Sequence, residues 1–363
     1  RSLLPLLFLF RRCNRCAFGN TDLNHHHHLA KMAFLAEDNV EAEVGVEENY
    51  SSVSTEENPN VILATAGYDH VIKFWDPQTG SCYRDLQFLD SQVNCLKISH
   101  DRRFLAAAGN PHVRLYEINS RANTHLTTYS QHKGNVTSLE FQSDGKTMYT
   151  GSEDGTVKIW DMRQGNVACE INNGAPVNEI ALHPNESELV LCDQNGRVRV
   201  WDLYKNGPVP KAENSPGGST AVRSISIGAD GCTGVACNNK GNVYFWDANK
   251  PSLEFEKLGT PAHPGHYILK CKLSPDGAFL ATTSSDHSIK LWNVADRTLY
   301  KTLNNHQRWV WDCTFSADSS YLVTCSSDQT ARLWEVNRGE VIRHYAGHHK
   351  AVIAVALNDT SPG

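Results

Sequence analysis

The amino-acid sequence predicts an all-β protein: a propeller of seven four-stranded blades, its ring closed by the C-terminal strand joining the first blade. Three observations carry this expectation. A short run ending in an aromatic recurs seven times, a second series of runs recurs seven times out of phase with it, and nothing between residues 61 and 358 sustains a helical period.

The first series reads "VIKFWD", "HVRLYE", "TVKIWD", "RVRVWD", "NVYFWD", "SIKLWN" and "TARLWE", with aromatics at Trp75, Tyr116, Trp160, Trp201, Trp246, Trp292 and Trp334. Successive gaps are 41, 44, 41, 45, 46 and 42 residues. A self-similar period in the forties with a Trp-Asp signature marks one propeller blade per repeat, so residues 60–359 read as a WD-repeat propeller. The second series, "VNCLKIS", "VTSLEFQ", "VNEIALH", "VRSISIG", "ILKCKLS", "VWDCTFS" and "VIAVALN", alternates as strands do. Turn residues such as "QSDG" and "SPDG" follow several of its members and lead into further short strands.

The offset between the two series predicts the closure. "VILATAGYDHVIKFWD" (61–76) has no innermost strand before it, and "AVIAVALND" (351–359) has no aromatic unit after it. Joining them completes seven blades and removes the open sheet edges that invite aggregation.

Inside the repeat sits a group of residues that imitates a catalytic triad. Thr150, Asp154 and Trp160, with His132 upstream, place a hydroxyl, a carboxylate and an imidazole together. The same offsets recur at Thr282, Asp286 and Trp292 with His263, at Thr324, Asp328 and Trp334 with His306, and at Thr65, Asp69 and Trp75 with His348. An active centre is assembled once; four equivalent copies read as hydrogen-bonded struts beside a tight turn. The remaining units carry Asn110, Asn195 or Lys240 where the Asp would stand, and their blades are expected to rest mainly on packing. No other chemistry is convincing: Gly145–Thr147 lacks the leading glycine of a phosphate loop, and there is no His-Glu-x-x-His or Gly-x-Ser-x-Gly. No enzyme activity, cofactor, metal site or small-molecule substrate is expected.

A formal net charge of −6 weighs against a role in holding nucleic acid, which needs a basic face. Eleven cysteines, nine of them scattered singly through apolar runs, fit a reducing, cytoplasmic setting better than a disulfide framework. Ahead of the repeats, "SLLPLLFLF" (2–10) is about half the length a membrane span requires. Residues 1–31 are expected to be a non-native or untranslated leader with the native start at Met32, and residues 32–59 an acidic disordered tail. Residues 360–363 are taken as a C-terminal tail. Cys13 and Cys16 with the His25–His28 run have poor finger spacing and are set aside as a metal site.

A propeller without chemistry is expected to bind partners at the rim where innermost strands begin and Asp turns lie. Gln92, Asn94, Tyr68, Glu153 and the pair Trp309 and Trp311 fall there. Two Trp side chains two apart on a strand point the same way; they form either an interaction hot spot or aromatics filling the central channel.

The stretches "VILATAGYDHVIKFWD", "AAAGNPHVRLYEINS" with Tyr for Trp, "LHPNESELVL", "RWVWDCTFSADSSYLVTCSSDQTARLWEV" and "GEVIRHYAGHHKAVIAVALND" resemble the G-protein-β-like (lethal-with-sec-thirteen type) WD-repeat subunit of target-of-rapamycin (TOR) kinase complexes. The resemblance covers roughly residues 60–359. It implies a non-enzymatic scaffold that docks on the TOR kinase catalytic domain, stabilises it, and serves TOR complexes 1 and 2 with their other subunits in nutrient and growth-factor signalling. It also implies a cytoplasmic protein recruited to endomembrane (lysosomal) surfaces through its complex. The kinase-facing rim of that family falls on Gln92, Trp309 and Trp311; Tyr68, Asn94 and Glu153 are added from repeat geometry. A rival reading comes from "WDMR" (160–163), which matches the Trp-Asp-x-Arg box of substrate receptors in cullin-type ubiquitin ligases.

Overall fold

The computed structural model describes residues 61–204 and 207–360. The leader, the acidic tail, Cys13, Cys16 and the His25–His28 run lie outside the described residues, as does the C-terminal tail beyond Thr360. The described chain forms seven four-stranded antiparallel sheets, and its regular elements are all strands. Blade 1 is ordered Val352–Asn358, Ile62–Gly67, Val71–Trp75, Cys82–Gln87, from the inside out. Blades 2 to 7 follow in chain order, with innermost strands Cys95–Ile98, Val136–Phe141, Val177–Leu182, Val222–Ile227, Ile268–Leu273 and Val310–Phe315.

The closure falls where the offset of the two series places it. The C-terminal strand pairs with Ile62–Gly67 in a register running from Ile62 opposite Asn358 to Gly67 opposite Val352. Its side chains divide between two neighbours, and the register shift opposite Ala66 and Gly67 puts Val352 and Ala354, two residues apart, on opposite sides, where a regular strand would keep them together. Ala354 and Ala356 face blade 2 in a cluster with Leu96, Ile98 and Leu105, whereas Val352 and Val355 face blade 7 beside Val323 and Cys325. Gly67 cannot be replaced in this seam, because a Cβ there would lie 2.0 Å from the Ala351 carbonyl oxygen.

Seven apolar clusters fill the spaces between consecutive blades, including the space between blades 7 and 1. The repeat aromatic of each blade plugs the cluster shared with the preceding blade: Trp75 against blade 7, Tyr116 against blade 1, Trp160 against blade 2, and so on round the ring. Each ring is a large rigid payload at a fixed point of a curved wall, which explains why the aromatic recurs in every unit. The innermost strands contact one another in an unbroken cycle around a central channel.

Candidate docking rim

The four triads form in full. Trp160 Nε1–H donates to Thr150 Oγ1 (2.9 Å), which bonds His132 Nε2 (2.7 Å), whose Nδ1–H donates to Asp154 Oδ2 (2.9 Å). In blade 6 the corresponding distances through Thr282, His263 and Asp286 are 3.2, 3.0 and 2.7 Å. In blade 7, through Trp334, Thr324, His306 and Asp328, all three are 2.8 Å. In blade 1, His348 reaches back to Thr65 and Asp69 at 2.7 Å each, and Trp75 completes the chain at 2.7 Å. The closure is therefore bonded by side chains as well as by a strand.

This geometry rules out the nucleophile that the residue types suggest. Thr65, Thr150, Thr282 and Thr324 are wholly buried, and each hydroxyl already accepts from an indole. No substrate reaches them. Part of the relay's polarity follows from donor capacity: an ionised carboxylate only accepts, so His Nδ1 donates to it and Nε2 is turned to the threonine hydroxyl. Burial works against the charge on Asp154, Asp286 and Asp328, but bonds from the histidine and neighbouring donors outweigh it and hold these carboxyls well below their ordinary range.

Asp328→Ala strands the His306 and Thr330 donors and is expected to destabilise by about 1–3 kcal/mol; an unchanged melting temperature in calorimetry contradicts the strut assignment. His306 adds a pH signature. Burial pulls its pKa below the ordinary value despite the Asp328 partner. Its contribution is therefore present above the unfolded value of about 6.5 and declines as pH falls below it, because the unfolded imidazole binds the proton more readily. Thermal melts from pH 7.5 to 5 should show a decline that is shallower in His306→Asn; identical slopes contradict this.

Two of the three units without a complete triad add polar struts to the packing expected to be their main support. In blade 4 the carboxylate has moved two residues upstream: buried Asp193 accepts from the Asn195 and Arg197 amides and from Asn173 Nδ2 (3.2 Å). Arg199 then locks Asn173 through its side-chain and main-chain oxygens at 2.6 Å each. In blade 5, buried Asn238 takes the Lys240 and Asn242 amides. The cost shows at Trp201, whose Nε1 has no bonding partner, since Leu191 stands where other blades place threonine.

Struts of both kinds fix one rim of the ring. There the residue before the turn donates its amide to the carbonyl just ahead of the innermost strand: Tyr68 to Ala351, Glu153 to Asn135, Ser285 to Tyr267 and Ser327 to Trp309. The six residues expected to bind partners lie on this rim, in the contiguous arc of blades 7, 1, 2 and 3, and all are half-buried. Trp309 precedes the strand and Trp311 sits in a bulge between Val310 and Asp312, so they do not share one face of a regular strand. The bulge nevertheless brings their rings to 5.6 Å. Trp311 packs on the cluster of blades 7 and 1 and donates Nε1–H to Ser327 Oγ (2.6 Å), while Trp309 meets Tyr267 edge-on at 6.3 Å. Neither Trp is among the residues that line the cavity between the innermost strands. Each tryptophan is anchored on one side and open on the other.

On blades 2 and 3, Asn94 Nδ2 donates to the Val136 carbonyl (3.1 Å) and leaves its Oδ1 without a partner, and Asn135 Nδ2 donates to Glu153 Oε2 (2.8 Å). Burial raises the Glu153 pKa, partly offset by Asn135 and the Arg223 charge. Tyr267, 38% exposed, was not singled out in the sequence, although it occupies the position in blade 6 that Trp309 occupies in blade 7. At the opposite end of blade 3, Arg163 folds back on Asp161 through Nε (3.1 Å) and Nη2 (2.9 Å), so its guanidinium fork is engaged by its own strand end.

A seven-bladed ring with buried, four-fold repeated triads and an aromatic rim defines a WD-repeat propeller. The family described as "IFT122 first beta-propeller" matches residues 100–362, and "WD domain, G-beta repeat" matches residues 80–117. The chain is 50% identical over 305 residues to "Target of rapamycin complex subunit wat1" of Schizosaccharomyces pombe, covering 83% of this chain and 96% of that protein. It is 46% identical over 309 residues to "Target of rapamycin complex subunit LST8" of Saccharomyces cerevisiae (83% and 99% covered), and 43% over 321 residues to the Mus musculus protein of the same name (84% and 96%). The chain belongs to the LST8 family of WD-repeat proteins.

Proposed function

We propose that the chain is a non-catalytic subunit of TOR complexes 1 and 2, which grips the TOR kinase catalytic domain with the rim bearing Trp309 and Trp311 and so stabilises it. In this role it supports nutrient and growth-factor signalling from the cytoplasm and reaches lysosomal membranes through its complex. The names of its relatives supply the partner class. The observation that carries the choice of surface is the cluster of Trp309, Trp311 and Tyr267, large aromatics anchored from below and left open above. Such residues dominate interface energetics when a partner completes their burial. Gln92, Asn94, Tyr68 and Glu153 extend the footprint as a polar margin across blades 1 to 3.

Co-expression of the full chain with a TOR kinase catalytic domain, followed by gel filtration, tests this reading. Co-elution as one complex is expected. Separate elution of two folded proteins at micromolar concentration contradicts it.

A further inference from the structure

The central channel encloses a cavity of about 170 Å³, space for several waters at about 30 Å³ each. Its charges are sorted along the axis. Toward the docking rim, Lys270 pairs with Glu179 and lies 3.9 Å from Asp312, which leaves two carboxylates for one ammonium. One layer further along the channel stand Lys272, two residues beyond Lys270, and Lys97 and Glu140 at the matching positions of blades 2 and 3, two ammoniums for one carboxylate. Lys97 takes Glu140 at 2.8 Å. The Lys272 side chain has no hydrogen bond or ion pair among the described residues; the Lys97 charge, ahead of burial, depresses its pKa, and the Glu140 charge offsets part of that. Thr314 lines the same stretch of the cavity, and its hydroxyl also has no hydrogen bond among the described residues.

We propose that this far half of the channel binds a small inorganic oxyanion of phosphate type, held by the Lys272 and Lys97 ammoniums and the Thr314 hydroxyl. An oxyanion supplies what the site lacks: acceptors for an unmatched ammonium and an idle hydroxyl. It also places negative charge between two cations that repel each other. Bound there, it joins blade 2 to blades 6 and 7 across the axis. The docking rim is not involved, so this site stands whether or not that rim binds a kinase.

The test uses the full chain and inorganic phosphate at constant ionic strength, set with chloride, and reads isothermal titration together with melting temperature. Saturable binding and a saturable rise in melting temperature are expected. Lys272→Gln should weaken binding by about ten-fold, the worth of a charge-assisted hydrogen bond, while melting no lower than the parent in chloride alone. Lys272→Arg should retain binding, and Thr314→Val, which leaves the charges untouched, should weaken it independently. A non-saturating rise shared by the parent and Lys272→Gln is an ordinary salt effect and overturns the proposal, as does undiminished binding in both Lys272→Gln and Thr314→Val.

Discussion

Removal of residues 347–363 is expected to abolish cooperative folding. The truncation takes away the innermost strand of blade 1 and the His348 that bonds Thr65 and Asp69. It strips buried Ala354 and Ala356 from one cluster and Val352 and Val355 from another, and takes buried Ile353 with them. At about 1.5–3 kcal/mol for each larger apolar side chain, with the strut and the ladder bonds besides, the loss is on the order of 5–10 kcal/mol. That equals the whole stability of many domains, about 5–15 kcal/mol. Ile62–Gly67 would also become an exposed edge, an invitation to aggregation. The truncated chain should therefore accumulate as insoluble or molten material. A sharp melting transition close to that of the parent would mean that the ring does not depend on its seam. His348→Ala separates the contributions: it removes the strut, leaves the strand, and should lower stability by about 1–3 kcal/mol without loss of fold.

Simultaneous replacement of Trp309 and Trp311 by alanine should weaken binding to the TOR kinase catalytic domain by about 4 kcal/mol, roughly a thousand-fold in Kd, at about 2 kcal/mol for each hot-spot residue. The two positions are not equivalent. Trp311 rests on the core of blades 7 and 1 and bonds Ser327, so Trp311→Ala should cost stability as well as affinity. Trp309 pairs with the Tyr267 and Trp311 rings; Trp309→Ala is the cleaner probe and should lose affinity with little change in melting temperature. Titration of the purified kinase domain with each variant, alongside its thermal melt, resolves the two. Full affinity in Trp309→Ala would remove the rim's aromatic centre from the interface.

The seven blades and the closure are legible in the sequence because each rests on repetition. An aromatic every forty-odd residues must plug the same inter-blade space, and an unmatched strand at each end of the array has one place to go. The triads are legible for the same reason. What the repeat conceals is any feature that leaves its own register. Asp193 and Asn238 replace the missing turn carboxylates from two residues upstream, so a scan at fixed offset from the aromatic passes over them. Tyr267 shares Trp309's place, but a Tyr before an innermost strand is common enough to carry no signal alone. The half-exposure of the tryptophan pair depends on a bulge and on blades hundreds of residues away, as does the charge sorting of the channel, where Lys270 meets Glu179 across 91 residues of chain. Neither is encoded in local pattern.

The central claim, that the ring exists to grip a TOR kinase through one rim, is tested most directly by affinity capture of the tagged full chain from its own cells, with mass spectrometry of the eluate. TOR kinase should be the dominant partner with the intact chain and should vanish with the Trp309→Ala, Trp311→Ala double variant. Cullin-ligase adaptors in its place, or kinase recovered equally with both proteins, would contradict the account.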